Sequence, residues 1–122
     1  MSKQADFETV FAALKQILQK QARRFTVTAD TPSHYSLDAG YSEKYKRTIF
    51  FGSAQIKKNY VSYYLMPVYM FPELLAEISP ELKKRMQGKA CFNFKTVDKA
   101  LFAELNALTK ASLARVKRGD WV

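Results

Sequence analysis

The sequence predicts an α+β fold: one twisted antiparallel sheet with a long helix at each end of the chain, both packed on one face, and two short helices inserted before the last strand. Three observations carry this. Apolar residues recur at three- and four-residue steps in both terminal regions. Strand-like segments between them are joined by turns of hairpin length. Two proline-led helix starts stand ahead of the last strand. At 122 residues the chain is expected to form a single domain over 1–122.

The first helix is expected over residues 4–23, where Phe7, Val10, Phe11, Leu14, Ile17, Leu18 and Ala22 form one stripe and Lys15, Gln16, Gln19, Lys20 and Arg23 the opposite face. Phe25 to Ala29 has strand composition, Asp30 to Ser33 reads as a turn around Pro32, and Tyr35 to Leu37 as a second short strand. The segment around Gly40 carries no clear pattern. Arg47 to Ile56 and Tyr60 to Met66 read as neighbouring strands, hairpin-linked by Lys57-Lys58-Asn59, with Asn59 suited to positive φ. Gly52 inside the first of these signals a bulge or a close backbone approach. Alternation puts Val61, Tyr63 and Leu65 on one side of the second and Tyr60, Ser62, Tyr64 and Met66 on the other.

Pro72 opens a short helix expected to reach Ile78. Ser79-Pro80-Glu81 opens another, with Ser79 as N-cap, Lys83, Lys84 and Arg85 in its last turn and Gly88 as terminator. Ala90 to Lys95 returns as a strand, Phe92 and Phe94 on one face, Cys91 and Asn93 on the other. The last helix is expected from Thr96, as N-cap, to Lys117. Its stripe is Leu101, Phe102, Leu105, Leu108, Ser112, Leu113 and Val116, and Gly119 ends it before the tail Asp120 to Val122. The second sheet face is expected to be partly solvated or covered by the short helices.

Twenty Lys and Arg against eleven Asp and Glu give a net charge of +9. That excess favours nucleic acid or an acidic protein as partner, and its scatter along the chain equally describes a generally basic surface. No apolar run approaches the ~20 residues of a membrane helix, and no signal-peptide core stands at the start, so a cytoplasmic protein is expected. A single cysteine excludes an intrachain disulfide.

No catalytic motif is present, and a non-enzymatic protein is expected. The lone His34 falls in an expected loop without a partnered nucleophile, and Cys91 reads as a small buried hydrophobe. No cofactor loop is visible: the Gly88-Lys89 pair lacks the upstream glycine and the following Ser or Thr of a phosphate-binding loop. Glu73, Glu77 and Glu81 stand at four-residue steps, of which Glu73 and Glu77 are expected to share a helix face; such carboxylates suit a hard cation but here read as solvated surface. Aromatic and basic residues interleave from Tyr41 to Phe51 and from Lys57 to Tyr64, a chemistry suited to single strands, where bases stack and cations track phosphates. The candidate contacts for an anionic partner are Lys44, Lys46, Arg47, Lys57, Lys58 and Tyr60. A small-ligand pocket between sheet and short helices is the other candidate, lined by Tyr64, Met66, Tyr69 and Met70.

Phe51-Gly52, the run Lys57 to Pro67, Ser79 to Leu82 and Gly88 to Phe94 together resemble the YdhG-like family of bacterial domains of unknown function. Some of its members are described as frataxin-like intracellular iron chaperones. The resemblance implies an α-sheet-α fold and, as an alternative function, iron handling. The frataxin mode uses a crowded acidic ridge, whereas the first helix here offers only Asp6 and Glu8 among more numerous cations. The fold carries over, and no functional residue does.

Overall fold

A computed structural model describes residues 3–21, 25–44 and 46–117. The order is α1 (Lys3–Gln21), β1 (Thr26–Thr31), β2 (His34–Ser42), β3 (Arg47–Ile56), β4 (Val61–Leu65), α2 (Met66–Met70), a 3₁₀ turn (Pro72–Glu77), α3 (Pro80–Lys83), β5 (Cys91–Phe94) and α4 (Lys99–Lys117). The expected continuation of α1 through Ala22 and Arg23, the Tyr45 of the interleaved run, the stop at Gly119 and the tail lie outside the described residues.

The five strands form an antiparallel meander in chain order, so each pairs with its sequence neighbours. Both long helices cover one face. Leu18 of α1 lies over Gly52, and Tyr63 of β4 reaches Thr109 of α4. The rings of Phe94 and Phe102 meet edge to face at 4.9 Å between β5 and α4. Alternation in β4 holds: Val61, Tyr63 and Leu65 are fully buried, and Ser62 and Tyr64 on the other face are half-buried. Burying such side chains contributes roughly 1.5–3 kcal/mol each and drives assembly of the layers.

Gly52 is a close approach, as its position in the strand implied. A Cβ there would lie 2.8 Å from the Tyr64 carbonyl oxygen and 3.3 Å from Leu18 Cδ2. The neighbouring pairing steps from Leu37–Gly52 to Asp38–Phe50, so Phe51 is an extra residue in β3. Phe51 and Gly52 are therefore consecutive and both buried, which regular alternation forbids. A second irregularity at Ala39 continues β2 past the expected end at Leu37 to Ser42. Gly40 there takes a positive φ of 127°. That bulge is why the segment around Gly40 shows no period-two pattern.

Five expectations need correction. The strand ends at Leu65, and residues 66–70 form α2, with Pro67 in the first turn, where a missing N–H costs nothing. The Pro72 segment is a 3₁₀ turn rather than an α-helix, which makes three short helical pieces before β5. α3 stops after Lys83, so Gly88, at φ 83°, does not terminate it but turns the chain into β5. The cap of α4 is Asp98, whose Oδ1 accepts from Leu101 N–H at 3.0 Å, not Thr96. Asn59 also does without the positive φ assigned to it, since among the described non-glycine residues only Lys46 adopts one. Ser79 does cap α3, accepting from Leu82 N–H at 3.2 Å.

The outer edge of β5 is not free. Asn93 N–H donates to Arg85 O at 2.8 Å, Gln87 N–H to Cys91 O at 3.0 Å, and Met86 bridges Phe92. The segment after α3 thus runs back along β5, with Met86 opposite Phe92, partly packed against the core and partly lining the depression at this edge.

Candidate anion-binding groove on the open sheet face

The face away from the long helices is polar and almost uncharged at its centre. Paired positions put His34 beside Gln55, Gln55 beside Ser62 and Ser62 beside Asn93, and, one row over, Ser36, Ser53, Tyr64 and Cys91. Toward the β5 edge this face dips into two adjoining depressions of about 250 and 380 Å³ that share Tyr60, Gln87 and Asn93.

The floor is built by β3, β4 and β5, whose outward positions are Ser53, Gln55, Ser62 and Asn93. The β3–β4 hairpin, closed by Lys57 N–H donating to Tyr60 O at 2.8 Å, supplies Lys57 and Tyr60. The return segment supplies Lys84, Arg85 and Gln87, and the residue after β5 supplies Lys95. Asn93 Nδ2 donates to Gln87 Oε1 at 2.6 Å, which ties strand and return segment side chain to side chain. Among the described residues four cations line the two depressions, and no carboxylate does. The result is a positive rim around neutral donors and acceptors, with one phenol ring at the junction.

Cys91 sits in this groove, half-buried, rather than in the core as expected. Burial pushes its thiol pKa up, against the opposing pull of a hydrogen bond with Ser62 and the nearby Lys57 charge. That shift favours the thiol over the thiolate. His34 also differs from expectation: it begins β2 on the open face, half-buried opposite Gln55, instead of standing in a loop.

The anionic-partner residues read from the sequence divide between two places. Lys57 and Tyr60 line the groove, and the exposed Lys58 stands beside them in the hairpin. Lys44, Lys46 and Arg47 lie at the other end of β3, ten residues away, on the order of 30 Å at ~3.3 Å per residue. One ligand of ordinary size does not touch both. The cations that do join Lys57 are Lys84, Arg85 and Lys95. Sequence reasoning assigned two of them to the end of a helix; the signal was the run of three cations in a segment too short to stay helical before Gly88.

The expected pocket divides as well. Met66, Tyr69 and Met70, one face of α2, meet Arg47 to Phe50 around a separate cavity of about 490 Å³. Tyr64 lines the groove instead, its ring tilted against Phe50 at 5.4 Å. Glu73 and Glu77 do not share a face, because a 3₁₀ turn repeats every three residues. Glu73 Oε2 is ion-paired with Arg115 at 3.0 Å. Among the described residues no three His, Cys, Asp or Glu side chains are grouped to hold a metal ion, and no helix is long and apolar enough to cross a membrane. Comparison with models of protein families, with curated proteins and with solved structures finds no match.

Proposed function

We propose that this chain is a non-enzymatic binding domain that engages an anionic partner through the groove on the open sheet face. The observation that carries the reading is the lining itself: Lys57, Lys84, Arg85 and Lys95 around a neutral polar floor without a carboxylate. Scattered surface charge has no reason to exclude acids from one concavity. Single-stranded nucleic acid suits this chemistry best. Its phosphates pair with the rim, a base stacks on Tyr60, and Gln55 and Asn93 offer amide groups to base edges. Kinship with the YdhG-like family is part of the same proposal and rests on residues whose roles here are structural, Gly52 and Ser79 among them. The frataxin-like iron alternative has less to stand on, with Glu73 occupied by Arg115.

The test is fluorescence anisotropy with labelled single-stranded RNA and DNA at low and physiological salt. It uses the wild type, a Lys57→Glu/Arg85→Glu variant and a Lys44→Glu/Lys46→Glu variant. The groove variant is expected to lose about tenfold or more in affinity, one full decade being ~1.4 kcal/mol, and the distant one less than about twofold. Equal losses would reduce the attraction to net charge and remove the groove. Saturable binding of polyglutamate in place of oligonucleotide would assign the groove to an acidic protein.

A further inference from the structure

The cavity between the start of β3 and α2 belongs to no part of the groove. Its volume of about 490 Å³ falls in the range of small-molecule sites, roughly 300–1,000 Å³. Ile49 and Phe50 line one side, and Met66, Tyr69 and Met70 the other. Two methionines on one helix face give a wall that reshapes around different apolar bodies. Arg47 and Thr48 complete the lining at the first residues of β3; among the described residues the guanidinium is the only charge in the lining, and no carboxylate accompanies it. Lys89 stands over the outer side of Tyr69, its Nζ 5.8 Å from the ring centroid, adding positive potential nearby.

We infer that this cavity binds a small amphipathic carboxylate, with its apolar body against Ile49, Phe50, Met66 and Met70 and its carboxylate on Arg47. An apolar lining alone would accept any hydrophobe. A single planar cation in the lining selects for a body ending in a carboxylate, which the guanidinium fork matches in shape as well as charge. Such a site is independent of the partner groove and stands or falls separately.

The methionines make the two sites distinguishable in one sample, because Met66 and Met70 line the cavity whereas Met86 lines the groove. Protein labelled with ¹³C at the methionine methyls is titrated with low-millimolar decanoate, with decanol as the neutral control. Decanoate is expected to shift Met66 and Met70 saturably and to leave Met86 in place. Arg47→Gln is expected to weaken decanoate about fivefold, the upper range of an exposed ion pair, without changing decanol. Thr48→Trp, at an exposed strand position in the lining, puts a bulky ring into the cavity and is expected to abolish both. Unmoved Met66 and Met70 signals, equal movement of Met86, or an affinity indifferent to Arg47→Gln would each overturn the assignment. A single-stranded oligonucleotide that moves Met86 alone reports on the groove, so failure of either site is read separately.

Discussion

Gly52 and Tyr63 show how narrowly single residues of this sheet are specified. At Gly52 the nearest obstacle to a side chain is a backbone carbonyl, Tyr64 O at 2.8 Å, which cannot swing away. Gly52→Ala is therefore expected to destabilise the protein by about 1–3 kcal/mol, seen as a lower urea midpoint. Tyr63 is wholly buried, and its hydroxyl lies 2.6 Å from Thr109 Oγ1, which lies 2.7 Å from Leu105 O. The chain of donors runs one way: Thr109 gives its proton to the carbonyl, so Tyr63 donates to Thr109. Tyr63→Phe removes a donor and strands nothing, at a cost of about 0.5–1.5 kcal/mol, whereas Thr109→Val leaves a buried hydroxyl without an acceptor, at about 1–3 kcal/mol. The double variant is expected to cost less than the sum. Burial also raises the Tyr63 phenol well above its ordinary value of 10.0, despite the opposing hydrogen bond, and raises Tyr35 and Tyr64 in the same sense. Above pH 10 the unfolded phenols lose protons that the folded ones keep, so the unfolded state binds fewer protons and stability falls as pH rises. Alkaline unfolding curves of wild type and Tyr63→Phe are expected to diverge in that window, the variant falling less steeply.

Among the elements, β3 was legible from its composition and flanking turns although the bulge at Phe51 breaks its alternation, and β5 was legible because alternation agrees with its burial. α2 was not, because Leu65 to Met70 is an apolar run that serves strand or helix equally until Pro67 is recognised as a first-turn residue. The α4 start was read from Thr96 alone, and the geometry gives the cap to Asp98, two residues further on. Asp98→Ala is expected to cost about 0.5–2 kcal/mol and Thr96→Ala less than about 0.5, measured as shifts in thermal midpoint. Ser79 has a second partner that no local pattern reveals. Glu104 of α4 accepts from both Ser79 N–H at 2.8 Å and Ser79 Oγ at 2.7 Å. The cap of α3 is thereby pinned to the long helix, and Glu104→Ala is expected to destabilise by about 1–3 kcal/mol through the stranded Ser79 amide. The groove was half legible for the same reason. Lys57 and Tyr60 announce themselves by local interleaving, whereas Lys84, Arg85 and Lys95 join them only because the chain doubles back along β5.

For the whole molecule, the +9 charge and the four-cation groove make different statements about salt. If the four groove cations do the binding, log affinity for a single strand is expected to fall with log salt at a slope of about −3, from roughly 0.7 per neutralised phosphate. Arg85→Gln is expected to flatten the slope by about 0.7, in anisotropy titrations across a salt series. A slope untouched by that substitution would place the contacts elsewhere on the basic surface.

The meander has one more consequence, for the order in which the molecule closes. Every strand pairing up to β4 joins sequence neighbours, so those hairpins form at small entropic cost while the chain is still growing. The apolar stripe of α1 is different. It lies on β3 and β4 and also against α4, where Gln21 Nε2 donates to Asn106 Oδ1 at 2.9 Å across 85 positions of sequence. Until residues 99–117 arrive, Tyr63 has no Thr109 and the seam beside Phe94 stays wet. A nascent chain emerging from the ribosome thus carries a finished-looking sheet with one flank unsealed. That interval is when a chaperone, or a second unfinished copy, has access to it.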